Sequence, residues 1–324
     1  MAFRCDHTVT PLRSRMKCSW LLLCVWLPVR GDAQPRQIQP ITWLVRDSSA
    51  IDAWPYIAPD GKTVTFSRST DGRKTWQLLR TSATGDPVRP FFDHAPAPNI
   101  TRASWSRRHD RLAFTATAVG DTSSLWTSDR TGGSAKRVPG QYSPGTMYPS
   151  WTPSGDALVA VDYTAPGGAV LVQITLTTGA TSRLTHPEAF GVGMPSVSPD
   201  GEFIAFAGQR NTTPDYDESK NHIWLLDRSG EPREISQGLG RQPDWSPDGQ
   251  WLAFTSSRGD SAGRHAIFIV SRAGGEPIQL TEHDIHAQHP VWSPDGSWLV
   301  FSALIRAQPP AFGLARIPSP RPRK

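Results

Sequence analysis

Three imidazoles fall within seven residues in the stretch Glu282-His283-Asp284-Ile285-His286-Ala287-Gln288-His289. Neutral imidazole is a common protein ligand for divalent metals, and it is also the side chain that titrates nearest neutral pH. The stretch therefore predicts a divalent-metal site on His283, His286 and His289, or a base poised near pH 7. A hydrogen-bonded loop end is the third reading. The spacing matches no zinc signature and the surroundings read as loop, so the sequence alone leaves the geometry open. A second set of candidates occupies one repeated position, immediately before a recurring proline slot: Trp54, Arg102, Tyr148, Met194, Gln242 and His289. Aromatic, cationic and amide groups together suit a polar organic ligand such as a sugar or a peptide. Solvation of a rim also accounts for them. Asp215, Asp217 and Glu218 lie in an insert, residues 211–221, which reads either as a contact for calcium or a basic partner or as a solvated loop. The chain has no Gly-rich phosphate loop and no His-Glu-x-x-His.

What must position these groups is a repeat. Six segments share one pattern, usually Pro-x-Trp-Ser-Pro-Asp-Gly, and lead into an apolar strand. The last positions of the pattern, 61, 109, 155, 201, 249 and 296, are 46 to 48 residues apart. A period of this length marks an array in which each unit buries its faces against its neighbours. Within a unit, Ser-Pro-Asp-Gly reads as a tight turn: proline presets φ and glycine takes the left-handed conformation. Alternating strands follow, such as Trp251-Leu252-Ala253-Phe254, then a third strand such as Ile267-Phe268-Ile269 and a short fourth such as Pro277-Ile278-Gln279-Leu280. Repeat 2 departs from the pattern, with Arg107-Arg108-His109 in place of Pro-Asp-Gly.

These units predict an all-β fold, a six-bladed β-propeller with four-stranded antiparallel blades. The final repeat supplies only three strands before a Pro-rich basic tail. Residues 41–46 resemble the fourth strand of repeat 5 in composition, so the N-terminal strand is expected to close the last blade. Trp105, Trp151, Trp245 and Trp292 share one slot and read as packing between blades, as do Phe66, Phe114, Phe206, Phe254 and Phe301. The first strand of each blade runs beside the central channel, which places the six pre-proline residues at one mouth of that channel.

The domain boundaries follow from composition. Residues 1–33 read as a signal peptide: Arg13, Arg15 and Lys17 precede the apolar run from Cys18 to Val29, and Gly31-Asp32-Ala33 supplies small residues for cleavage. Met16 is the expected true start. The apolar run is too short to span a hydrocarbon layer roughly 30 Å thick, so no transmembrane segment is expected after cleavage. All three cysteines, Cys5, Cys18 and Cys24, fall within the leader, which leaves the mature chain without thiol chemistry. A short linker spans 34–39, the propeller spans 40–317 and a basic tail spans 318–324. The formal charge of the 324-residue chain is +5, but the leader holds five basic residues against two acidic ones, and the tail is basic too. The body is close to neutral, which argues against a nucleic-acid partner.

The Pro-x-Trp-Ser-Pro-Asp-Gly-x-x-Leu-Ala-Phe-x-Ser unit resembles the WD-like repeat of the TolB-type six-bladed propellers, over residues 40–317. The resemblance implies the propeller half of such a protein, in a periplasmic or secreted setting. Because the chain is almost wholly used up by framework and holds no complete catalytic constellation, the leading expectation is a monomeric binding scaffold in the cell envelope, non-catalytic and with no required cofactor, that presents loops and the channel mouth to an envelope protein or glycan. The alternative from a different class is a carbohydrate lyase or hydrolase, metal-dependent or not, using His283, His286 and His289 with Arg102 and Tyr148. Oligogalacturonate lyases resemble these propellers in their repeats and hold a divalent metal with His and Gln at the channel. That likeness directs attention to His283, His286, Gln288 and His289, but no motif match carries the catalytic assignment across.

Overall fold

Each Ser-Pro-Asp-Gly tetrad closes as the turn its composition dictates. The glycine N–H donates to the serine carbonyl at 2.9 Å in Gly201–Ser198, Gly249–Ser246 and Gly296–Ser293. The aspartate takes the serine hydroxyl at 2.6 Å in Asp200, Asp248 and Asp295, and also accepts the N–H two residues on. Glycine is required at the last position because φ there is left-handed, as at Gly249 with +67°. The turn reverses the chain and lays the second strand of each repeat against the first.

The computed structural model describes residues 35–118, 123–140, 142, 145–186, 190–210 and 217–320, all within one compact unit. The predicted leader with Cys5, Cys18 and Cys24, together with Asp215 and residues 321–324, lies outside the described residues. The fold is an all-β propeller with four-stranded antiparallel blades. Four sheets stand alone. They comprise Asn99–Trp105, Arg111–Thr117, Ser123–Asp129 and Lys136–Arg137; Thr146–Trp151, Ala157–Asp162, Val170–Thr175 and Thr181–Arg183; Phe190–Val197, Ile204–Arg210, His222–Leu226 and Arg233–Leu239; and Arg241–Trp245, Trp251–Ser256, Ala266–Ser271 and Ile278–Gln279. The remaining eight strands form one continuous sheet, which corrects the expectation of six separate ones. It consists of an antiparallel set made of Gln288–Trp292, Trp298–Arg306, Ala311–Pro318 and Thr42–Val45, and a second made of Ile51–Ile57, Thr63–Ser69, Gln77–Ser82 and Arg89–Pro90. A parallel bridge between Ile51 and Phe312 joins them. Among the described residues the only helical segments are two 3-10 turns, Glu218–Lys220 and His283–Ile285.

Thr42–Val45 pairs antiparallel with Ala311–Pro318, with Thr42 opposite Arg316, as the composition of residues 41–46 predicts. Its approach depends on Gly313, where a Cβ would lie 2.3 Å from the Val45 carbonyl oxygen. Residues read as a linker are also pinned. Gln37 and Gln39 donate to the carbonyls of Gln279 and Leu280, and Gln279 donates to that of Pro35, which adds an extended segment to the edge of Ile278–Gln279.

Apolar clusters fill the junctions between neighbouring strand sets. Val161 and Leu171 meet Phe190 and Phe206 at one junction, and Leu44, Val45 and Leu314 meet Ile57, Val64 and Phe66 at another. The repeated tryptophans clip the sets together. The indole N–H of Trp105 reaches Thr65 Oγ1 at 3.0 Å, that of Trp151 reaches the Ser104 carbonyl at 2.9 Å, and that of Trp245 reaches the Ser196 carbonyl at 3.0 Å. Each of these three rings thus buries a large apolar area and leaves no unpaired donor, whereas the Trp292 Nε1 is buried without a partner among the described residues. The first strands of the six repeats contact one another in closed cyclic order, and their inner edges surround the channel.

Candidate functional site at the channel mouth

The six pre-proline residues share one unusual backbone state. Trp54, Arg102, Tyr148, Met194, Gln242 and His289 all have left-handed φ, between 51° and 59°. Register slips at each of them, between Ala53 and Tyr56, Thr101 and Ser104, Met147 and Ser150, Gly193 and Ser196, Arg241 and Asp244, and Gln288 and Val291. Five of the six precede proline, which has no N–H for the ladder, so pairing breaks there and a bulge forms. A left-handed non-glycine residue costs roughly 1–2 kcal/mol, and the packed ring holds six of them. The bulge aims these positions inward, and all six line one cavity of about 80 Å³.

The walls of this cavity are aromatic and cationic. The Arg102 guanidinium lies 4.8 Å from the Trp54 ring centre and 4.3 Å from that of Tyr148. Trp54 also packs on Trp76 at 4.8 Å and edge-on against His289 at 5.6 Å. Gln242 is committed to the framework: its Oε1 accepts from Thr255 Oγ1 at 2.8 Å and from the His289 N–H at 3.0 Å. Met194 is 8% exposed and packs into the apolar cluster with Trp245 and Phe254, so it serves wall and core together.

The histidine cluster does not converge. No group of three or more His, Cys, Asp or Glu side chains among the described residues is arranged to hold a metal. His283 sits on the 3-10 turn with Nδ1 3.3 Å from Gln279 Nε2 and its ring 6.2 Å from Phe268. His286 turns away, its Nε2 lying 3.2 Å from Nδ1 of His265, whose Nε2 in turn receives Arg241 Nη2 at 2.6 Å. His289 alone of the three lines the cavity. The expectation of a base poised near neutrality is corrected for two of them. Burial, and then Arg241 and Arg102, hold the His289 imidazole down to about 3, and burial with Arg241 and Arg264 lowers His286 as well. Asp217 is engaged by its own turn, accepting from Ser219 Oγ at 2.6 Å and pairing with Lys220 at 3.3 Å.

His265 is the member of this region that sequence reasoning missed. Strands alternate in direction within each repeat, so the turn after the second strand and the connection leaving the fourth share one face of the wheel. That rule places the turn before Ala266 beside the His283–His286 segment, although 21 positions separate His265 from His286.

At the other end of the channel the irregular repeat 2 acquires a role. Arg107 reaches across to Asp244 Oδ1 at 3.1 Å and to the Trp245 carbonyl at 2.7 Å. Asp244 is buried, and its Oδ2 accepts the Trp292 N–H at 2.9 Å. Burial raises the pKa of Asp244 against the opposing pull of Arg107, and burial followed by Asp244 pushes Tyr56 up to about 12. A lower cavity of about 250 Å³, lined by Arg107, Arg108 and Trp151 among others, shares Tyr56, Ser104, Asp244 and Val291 with the upper one.

A sheet wheel of repeated strand sets with a lined axial channel defines a β-propeller, and comparison with known proteins gives the family. Residues 111–308 match the TolB beta propeller domain family model, and the chain belongs to that family. An uncharacterized protein of Agrobacterium fabrum is 31% identical over 138 residues, 40% of this chain and 42% of that protein. An uncharacterized peptidase of Bacillus subtilis is 35% identical over 92 residues, 27% of this chain and 13% of the peptidase. The chain thus matches less than half the length of these two relatives. Among solved structures, one assigned as TolB from Agrobacterium tumefaciens superposes with a TM-score of 0.61 at 20% identity, covering 84% of this chain and 91% of that one. An oligogalacturonate lyase from Vibrio parahaemolyticus superposes with a TM-score of 0.58 at 10% identity, covering 89% and 97%. At these identities the likeness shows the fold.

Proposed function

We propose that this chain is an exported, non-catalytic binding propeller that presents its channel mouth and surrounding loops to a protein or glycan in the cell envelope. In this reading the eight-stranded sheet counts as two blades joined at the Ile51–Phe312 bridge, which makes six with the four separate sheets. The observation that carries the proposal is the convergence of the six pre-proline residues, each from a different repeat, on one cavity. These are positions where the repeats differ, and a framework needs no such variety. Residues 1–33 as a leader, a periplasmic or secreted location and a monomeric state belong to the same proposal. Among the described residues no helix is long and apolar enough to cross a membrane. An imidazole held near 3 at the mouth favours binding over the alternative of carbohydrate lyase or hydrolase chemistry, which would call on His289 as a base at neutral pH.

The test is affinity capture from an envelope extract with the wild-type protein and Arg102→Gln side by side. One protein or glycan should be enriched reproducibly by the wild type and lost with the variant. Failure of the folded wild-type protein to enrich any protein or glycan overturns the proposal.

A further inference from the structure

The mouth holds buried polar groups without partners, one of them on an arginine. Arg102 makes one side-chain hydrogen bond, from Nη1 to Thr101 Oγ1 at 3.1 Å, and its Nε is buried without a partner among the described residues. His289 Nδ1 is likewise buried and unpartnered. Arg73, at the rim with left-handed φ, lines an adjoining cavity of about 160 Å³ that shares the Trp54 and His289 walls. Arg241, Arg102 and Arg73 all bear on His289 and favour its neutral ring. The two acids lining these cavities are already taken: Asp52 by Arg68 at 2.7 and 2.9 Å, and Asp244 by Arg107 at 3.1 Å.

Stacking decides how Arg102 can be used. Trp54 and Tyr148 both pack against its guanidinium, which leaves the N–H edge as the group's polar handle for a ligand. With Nη1 engaged, the remaining edge is Nε with Nη2, the fork that grips a carboxylate side-on. The protein shows this grip elsewhere, since Arg68 holds Asp52 through Nε and Nη2. A cavity of about 80 Å³ equals about two to three water volumes, the size of a single oxyanion head. The indoles of Trp54 and Trp76, inclined at 55° to each other, line the adjoining cavity and offer aromatic surface to whatever carries that head.

Building on the binding reading above, we propose that the channel mouth recognises a carboxylate borne on a flat, apolar stem, with Arg102 gripping the carboxylate and Arg73 and Arg241 supplying the attracting field. The ligand is a small aromatic or similarly planar acid, free or as the acidic terminus of a larger partner.

Titration calorimetry with benzoate, its neutral isostere benzamide, acetate and sulfate tests this on the full protein. Benzoate is expected to bind one to one, with benzamide and acetate at least tenfold weaker and sulfate weaker than benzoate. Arg102→Gln should weaken benzoate at least tenfold, and Arg73→Gln, at the exposed rim, should weaken it by a few fold with rising sensitivity to salt. Circular dichroism and thermal melting of each variant confirm the fold, and Arg73→Gln keeps the test open if Arg102→Gln does not fold. Benzamide binding as well as benzoate, sulfate binding better, or no benzoate binding at millimolar concentration overturns the inference. Because envelope capture is scored separately, loss of benzoate binding with capture intact rejects the carboxylate site alone, whereas loss of capture rejects the broader reading.

Discussion

Arg107 Nη2 lies 3.1 Å from Asp244 Oδ1, joining two repeats across the channel axis and 137 positions of sequence. The contact explains why repeat 2 abandons Pro-Asp-Gly: a proline at position 107 has no side chain able to cross the channel. His109 serves a related end, with Nε2 3.0 Å from the Ser154 carbonyl.

Replacing Arg107 with Ala leaves the buried Asp244 carboxylate without its cationic partner. Such losses cost about 3 kcal/mol, and here the partly exposed arginine lets water recover a share, so a loss of about 2 kcal/mol in urea unfolding is expected. Arg107→Ala combined with Asp244→Asn should recover part of it. Equal stability of the wild type and Arg107→Ala would show that the crossing contact is idle.

His289 and His265 are both held down to about 3, against a usual value of 6.5. The unfolded chain therefore binds more protons than the folded one between those values. Stability contributed by the neutral rings is complete above pH 6.5 and is lost as pH falls from there towards 3. Near pH 5 each ring adds a slope of about 1.4 kcal/mol per pH unit. His289→Gln should remove one such increment from the slope of unfolding free energy against pH between 4 and 6.

Gly249→Ala isolates the turn requirement. Its φ is +67° and a Cβ would meet Pro199 at an ordinary 3.6 Å, so strain in the left-handed backbone is the whole effect. A loss of about 1 kcal/mol is expected in chemical denaturation.

Gly313→Ala acts by collision instead. A Cβ 2.3 Å from the Val45 carbonyl forces the Thr42–Val45 strand away from its partner. A loss of about 2–3 kcal/mol is expected. Hydrogen exchange should show faster exchange at Thr42–Val45 than in the wild type, with the Arg241–Trp245 region unchanged.

Much of this was legible from the chain alone because a period of 46 to 48 residues repeats local chemistry six times. The turns, the inter-sheet tryptophans and the pairing of residues 41–46 with the last repeat all follow from local patterns. The gathering of the six residues before the proline slot at one cavity followed from the placement of first strands around the axis. What escaped depends on contacts between repeats. Arg107 looks like a defect until Asp244 is placed opposite it, and His265 looks isolated until the turn holding it meets His286. The histidine cluster misled because nearness in sequence was read as nearness in space. His283, His286 and His289 straddle a 3-10 turn, a left-handed residue and the start of a strand, and these send the three rings in different directions.

The pairing of Thr42 with Arg316 also sets the order of assembly. As the polypeptide is synthesised, Thr42–Val45 must stay without its partner until Ala311–Pro318 has emerged. The ring cannot be sealed piecemeal, and any stalled or truncated product lacking Ala311–Pro318 presents two raw sheet edges at once, a ready target for proteolysis or aggregation.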